Sequence, residues 1–284
     1  LSVDNFIPEI WSALLLSNLN KALVFGQPGV VNRDYEGEIA AFGDTVRINS
    51  IGRVTVRDYT KNSDIVTPDD LTDAQRLLLI DQQKYFNFQV DDVDKAQTKP
   101  KVMGEAMGEA SYALADQADT YIAGLFTDAD LVNRIASDGA PKTDLATAGK
   151  AYEYLVDLSV LLDEANVPGA GRWAVTPPWY EGALLKDERF VSFGTVANVT
   201  NLRNGMIGRA AGFDILKSNN VTKTGTTYRI MAGHSMAISM ADQIVSTEAY
   251  RPERRFADAV KGLHVWGVKV IRSQALAVLF ANKP

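Results

Sequence analysis

Between residues 45 and 90 the chain carries two stretches whose apolar residues recur at every second position, joined by a long, polar, aspartate-rich segment. In the first, Val46, Ile48, Val54 and Val56 share one parity and Arg47, Arg53 and Arg57 the other, with Asn49, Ser50 and Gly52 interrupting. This is the period of a half-buried strand, bent or bulged at its middle. In the second, Phe86, Phe88 and Val90 alternate with Tyr85, Asn87 and Gln89. The spacing predicts a hairpin of these two strands. Its connection, Thr60 to Arg76, contains Asp64, Asp69, Asp70 and Asp73 and is broken by Pro68, and it far exceeds the about 2–5 residues of an ordinary hairpin loop. A two-stranded ribbon is marginal alone in water, so this one needs a surface to lie on. That surface is either a neighbouring subunit or its own domain, and spacing alone does not choose.

After Pro100 the period changes. Met103, Met107, Ala110, Leu114, Gln117 or Ala118, Tyr121 and Leu125 step by three and four, with Glu105, Glu109, Asp116 and Asp119 on other faces. This predicts an amphipathic helix of about 25 residues, roughly 38 Å long. Gly104 and Gly108 cost about 1 kcal/mol each against alanine in such a helix, which a close packing contact would offset. A second helix is expected from Leu145 to Asn166, capped by Thr143 or Asp144 and stopped by Val167-Pro168-Gly169. Strands are expected at 213–217, 227–232, 237–240 and 264–271, with short apolar runs at 173–176 and 275–280. A hairpin, long helices and late strands without regular βα alternation read as an α+β fold.

Composition narrows the chemistry. The 284 residues include no cysteine and only His234 and His264, which excludes disulfides, thiolate zinc sites and a cysteine nucleophile. The net charge of −6 argues against wrapping of DNA, which requires excess Lys and Arg. Charge is uneven: Tyr250–Pro284 holds seven bases against two acids, a balance of +5, leaving −11 on the first 249 residues. The basic end reads either as a contact for nucleic acid or an acidic neighbour, or as intramolecular pairing, the simpler account. No apolar run approaches the roughly 18 residues of a spanning helix, and no basic region precedes an apolar stretch, so neither a membrane span nor a secretory signal is expected. Ser235 beside His234 is poor geometry for a catalytic pair, because adjacent strand residues face opposite ways. Asp91-Asp92-Val93-Asp94 lacks the glycine and closing glutamate of a calcium loop. Gly205 to Gly212 has the wrong spacing for a dinucleotide fingerprint. No catalytic residue, metal site or cofactor is expected.

Several local patterns occur together in one order. Asn5-Phe6-Ile7-Pro8-Glu9-Ile10-Trp11 is followed by Val31-Asn32-Arg33-Asp34-Tyr35-Glu36-Gly37. Next come Gly43-Asp44-Thr45-Val46, Tyr85-Phe86-Asn87-Phe88 and Asp91-Asp92-Val93-Asp94, then Trp173-Ala174-Val175-Thr176-Pro177. Gly212-Phe213-Asp214-Ile215, Ser218-Asn219-Asn220, Gly233-His234, Ala241-Asp242-Gln243 and Phe256-Ala257-Asp258-Ala259-Val260-Lys261-Gly262-Leu263-His264 complete the series. The ensemble resembles the major capsid proteins of tailed bacteriophages, with the Hong Kong 97-type fold.

That resemblance implies a non-enzymatic, self-assembling coat protein of an icosahedral shell around double-stranded DNA. It implies an N-terminal arm at 1–35, an extended loop at 36–98, and a peripheral domain with the spine helix at 99–150. An axial domain at 151–239 and a return to the peripheral domain at 240–284 follow. Copies of the chain in hexamers and pentamers, a separate scaffolding protein, a portal, decoration proteins and non-specifically held DNA are the implied partners, with no membrane. The implied locations are the virion and, during assembly, the host cytoplasm. Contacts between subunits are expected from Phe6, Trp11, Arg47, Arg53, Arg57, Lys61, Asp64, Asp69, Asp70, Asp73, Arg251, Arg254 and Arg255. An encapsulin-type nanocompartment shell shares the fold and stays open at this point, as does a soluble enzyme.

Overall fold

Helix α1, Val102–Gly124, is about 34 Å long at 1.5 Å per residue, and its buried stripe is Met107, Ser111, Leu114, Ala115, Ala118 and Ile122. The computed structural model that contains it describes residues 23–34, 45–51, 58, 61, 64, 73–91, 102–147, 149–187, 206–253 and 257–284. Asp119, which the spacing places off the apolar stripe, is 2% exposed. The spacing makes Gly108 a point of close approach, yet a Cβ there would meet nothing within 4 Å among the described residues.

The hairpin is real, but its partner differs from the expected one. Strand β1 (Thr45–Ile51) pairs antiparallel with β2 (Asp73–Leu79), from Thr45 opposite Leu79 to Ile51 opposite Asp73. Strand β3 (Gln82–Asp91) instead pairs with a much later strand. The expected polar connection thus ends in the ribbon's second strand, where Leu78 points inward and Leu77 and Leu79 outward. A leucine run at the end of a polar segment outcompeted the more obvious Phe86/Phe88 alternation because a sheet was waiting for β3.

Strands β4 (Arg134–Ile135), β5 (Arg172–Thr176), β6 (Met206–Ala210), β7 (Phe213–Lys217), β8 (Lys223–Thr224), β9 (Thr227–His234) and β12 (Leu276–Asn282) form a seven-stranded sheet among the described residues. Its central strands β5 and β12 are buried on both faces, which explains the apolar runs Trp173–Val175 and Leu276–Ala281 within them. Ala211 and Gly212, both at positive φ (50° and 82°), make the tight turn between β6 and β7. Helix α2, Lys150–Glu164, starts later than expected because Gly149 takes φ 88°. It buries Ala151, Tyr154, Leu155, Leu158 and Leu162 and, with α3 (Pro178–Leu185), packs near this sheet.

Strands β10 (Ile238–Tyr250) and β11 (Ala257–Val270) form a long hairpin, and β3 adds to β11, giving a three-stranded sheet in the order β10-β11-β3. One face packs on α1, where Tyr121 meets Trp266 edge to face at 4.8 Å between ring centroids. The other face takes the ribbon's base: Ile48, Leu78 and Ile80 pack on Ala241, Val265 and Ile271. Gly267 lies beneath this crossing, and a Cβ there would run into the Leu79 carbonyl and Ile80.

Residues 238–270 build the small sheet, whereas β12 lies in the large one beside β9. Residues 134–142 also join the large sheet, through β4 and the Lys142–Ala281 bridge.

A strap, residues 23–34, joins α1 to the small sheet. The Asp119 carboxylate accepts N–H bonds from Val24 (2.7 Å), Phe25 (3.1 Å) and Gly26 (3.0 Å). At the other end Asn32 N–H donates to Ile238 O (2.8 Å) and Met240 N–H to Asn32 O (2.9 Å), extending the β10 edge. Leu23, Phe25, Val30 and Val31 are buried between, each contributing about 1.5–3 kcal/mol by burial. Burial drives the Asp119 carboxyl from its usual 3.8 up to about 6, against the three N–H bonds that favour its charged form.

Two expectations follow. Gly267→Val should lift the ribbon base off the sheet at a cost of about 1–3 kcal/mol, read as a lowered thermal midpoint; an unchanged midpoint would mean that the crossing adjusts freely. Asp119→Ala strands three amide donors and should cost about 3 kcal/mol. The folded chain holds the Asp119 proton more tightly than the unfolded one, so the stability it adds is complete below 3.8 and is lost as pH rises through about 6. Relative to Asp119→Asn, the native chain should therefore lose about 2–3 kcal/mol between about pH 4 and about pH 7; parallel pH profiles in denaturant titrations would contradict it.

Candidate assembly interface

The polar groups buried within the chain serve the fold. Arg33 donates from Nε to Gly26 O (2.9 Å) and sets Nη2 3.7 Å from Asp242 Oδ2. The same oxygen lies 3.5 Å from His264 Nε2. All three side chains are enclosed between the strap and the small sheet, with Asp242 and His264 almost wholly buried. The Arg33–Asp242 pairing therefore fixes the strap to β10. His234 Nδ1 accepts the Met236 N–H at 3.1 Å, so the imidazole beside Ser235 caps a turn. Among the described residues no three His, Asp or Glu side chains gather as metal ligands would. No described helix is long and apolar enough to cross a membrane.

What the described surface offers is contact. Leu131 and Val132, in a short 3₁₀ turn capped by Asp130, are 76% and 75% exposed, and Tyr85 is 79% exposed. Tyr112 on α1 and Leu77 and Leu79 on the ribbon are also exposed. Tyr85 borders a groove of about 350 Å³ on the small sheet, shared with Asn87, Glu248, Lys261 and Leu263. There Lys261 pairs with Glu248 at 2.8 Å and lies 5.4 Å from the Tyr250 ring centroid. The Glu248 hydrogen bond and charge hold the Lys261 ammonium above its ordinary range. Large aromatic and aliphatic groups left in water with a polar rim are the anatomy of an association surface.

The expected contact residues are distributed unevenly. Arg47 and Asp73 stand in the ribbon ladder, opposite Leu77 and Ile51. Lys61 and Asp64, between the ribbon strands, are exposed, as is Arg251 after β10, which has a partner within the chain. Phe6, Trp11, Arg53, Arg57, Asp69, Asp70, Arg254 and Arg255 lie outside the described residues, as do the arm motif 5–11 and most of 92–101. Sequence reasoning missed Tyr85, Tyr112, Leu131 and Val132. Tyr85 was legible as the outward neighbour of Phe86, and Leu131-Val132 as apolar residues directly after an Asp cap.

The model of the phage capsid protein family matches residues 75–279, from the ribbon's second strand into β12. No curated protein matches the chain. Among solved structures, one from Mycobacterium phage Che8 is 29% identical over 90% of each chain, with a TM-score of 0.66. The capsid of cyanophage P-SCSP1u is 16% identical, covering 87% of this chain and 85% of its own, with a TM-score of 0.65. The SrpI encapsulin complex from Synechococcus elongatus shares the fold at 13% identity, 86% and 84% coverage and a TM-score of 0.58. The α+β architecture is thus the Hong Kong 97-type capsid fold that the sequence resemblance implied. A family match over 75–279, most of the chain, establishes that this chain belongs to the phage capsid protein family, the structural proteins of the virion shell.

Proposed function

We propose that this chain is the coat subunit of a tailed-phage head, copies of which gather in hexamers and pentamers and close an icosahedral shell around double-stranded DNA. The observation that carries this reading is the family match over 75–279. The exposed apolar residues on several separate faces support it, because a shell subunit meets neighbours around its whole rim. In this reading the large sheet with α2 and α3 is the axial domain, spanning roughly 129–235 and 272–284. Helix α1, the strap and the small sheet are the peripheral domain, the β1–β2 ribbon is the base of the extended loop, and the strap ends the N-terminal arm. A separate scaffolding protein, a portal and decoration proteins complete the partners, with assembly in the host cytoplasm. The net charge of −6 keeps the shell from adhering to the DNA it holds.

Electron microscopy of the purified protein should show closed megadalton particles; a compact monomer at all concentrations would overturn the reading. Deleting Ser63–Asp73 should leave a folded subunit that no longer closes shells, and well-formed particles from the deletion would contradict that role for the loop. Leu131→Asp with Val132→Asp should leave the subunit's thermal midpoint unchanged, since both side chains are in water. It should raise the concentration needed for assembly about tenfold or more, as loss of an interface hot spot does; light scattering against concentration reads the shift.

A further inference from the structure

Where the ribbon meets the edge of the large sheet, a cleft of about 490 Å³ is lined by Arg76, Val167, Met236, Ile271, Arg272 and Gln274, among others, and by no acidic residue. Its two arginines come from different elements. Arg76 is on β2 and gives one hydrogen bond, from Nη1 to Val270 O at 3.3 Å. Arg272 follows β11 and reaches only the Met236 sulfur, at 3.4 Å. Neither guanidinium has a carboxylate partner among the described residues. Among the other described arginines of the large sheet, Arg172 pairs with Asp163 at 2.6 Å, Arg229 with Asp138 at 2.9 Å and Arg209 with Asp214 at 3.5 Å, while Arg134 is satisfied by the Thr127 and Ala129 carbonyls. In a chain with more acids than bases, two unmatched guanidinium groups on one concave surface are an exception to the local pattern. Each keeps most of its five donors free for a planar acceptor.

Resting on the shell-forming reading above, we propose that this cleft receives the segment Asp64–Asp73 of a second copy of this chain. That segment holds four aspartates and no base, so its charge is complementary to the cleft. Its Ile65, Val66 and Leu71 suit the apolar floor made by Val167, Met236 and Ile271. Beyond Gln274 the surface continues into a second cleft of about 550 Å³ that carries Asp130 and Glu164. Like charges there repel an aspartate-rich chain, so the segment is admitted over the basic half only, which gives the contact a register. Pairing between different copies also accounts for how two arginines unpaired in the subunit become matched in the assembly.

The test is reciprocal charge reversal. Arg76→Glu with Arg272→Glu should reduce the yield of closed particles at least tenfold, and Asp69→Lys with Asp70→Lys should do the same. All four substitutions in one chain should return the yield to within about threefold of the native chain. A one-to-one mixture of the two reversed chains should assemble further than either chain alone, because contacts between unlike copies are matched, although a five-membered ring cannot alternate throughout. Normal particles from the cleft reversal, or no recovery in either the combined chain or the mixture, would overturn the proposal. Recovery in the combined chain with no gain in assembly from the mixture over either chain alone would place the contact within one subunit and also overturn it. If the cleft reversal forms normal shells that retain less DNA, the arginines face phosphate and the proposal falls.

Should the reversal fail to fold, Arg76→Gln with Arg272→Gln serves instead. Assembly of the native chain should then fall more steeply with added salt than that of the glutamine variant, and equal salt dependence would count against the cleft. Failure of the native chain itself to form particles defeats the shell reading, whereas native particles with an indifferent cleft defeat this inference alone.

Discussion

One carboxylate organises the junction on which the subunit's shape depends. Asp119, buried in the middle of the long helix, accepts three successive backbone N–H groups from a strap more than 90 residues earlier in the chain. Such donors, buried without an acceptor, would each carry a desolvation penalty of about 1–3 kcal/mol. The same strap then pairs with the edge of the small sheet through Asn32 and offers Arg33 to Asp242. Helix, strap and sheet therefore settle together or not at all. The upward shift of the Asp119 proton affinity measures what this costs: the charge has been taken out of water for geometry that only an anion with several lone pairs supplies.

The small sheet is thin, and its two faces are treated differently. Helix α1 and the Tyr121–Trp266 contact cover one face. The base of the ribbon covers part of the other, crossing directly over Gly267, where any side chain would collide with it. The rest of that face, with Tyr85 and the Lys261–Glu248 pair, is open to water. A sheet with one side half-finished, a two-stranded ribbon and an exposed Leu131-Val132 turn make poor sense in an isolated molecule. They make good sense in a subunit whose remaining surfaces are completed by neighbours.

Much of this was legible in the residues. The three-and-four spacing after Pro100 located α1 within a few residues at either end, and the alternation around Phe86 located β3. Val167-Pro168 marked the end of α2, although its start was misplaced, because Gly149 turns left-handed just before it. The spacing places Asp119 off the apolar stripe of α1, and nothing local marks it as buried. Its partners are backbone amides, which every sequence has and no pattern reveals. The ribbon's second strand was concealed in the same way: Leu77 to Leu79 closes a segment read as polar, and only the pairing with β1 identifies it.

The sequence by itself determined the class of elements, the absence of any thiol chemistry and, through an ordered series of short motifs, the capsid resemblance. These depend on local periodicity, composition and motif order, which a linear text preserves. Tertiary structure decided which strand pairs with which, that β12 returns to the large sheet while 238–270 builds the small one, and that Arg76 and Arg272 line one cleft without a carboxylate between them. Those facts depend on hydrogen bonds and approaches between residues far apart in the chain. Many pairings satisfy the same alternation, and burial and backbone satisfaction select one of them only when the whole chain is packed.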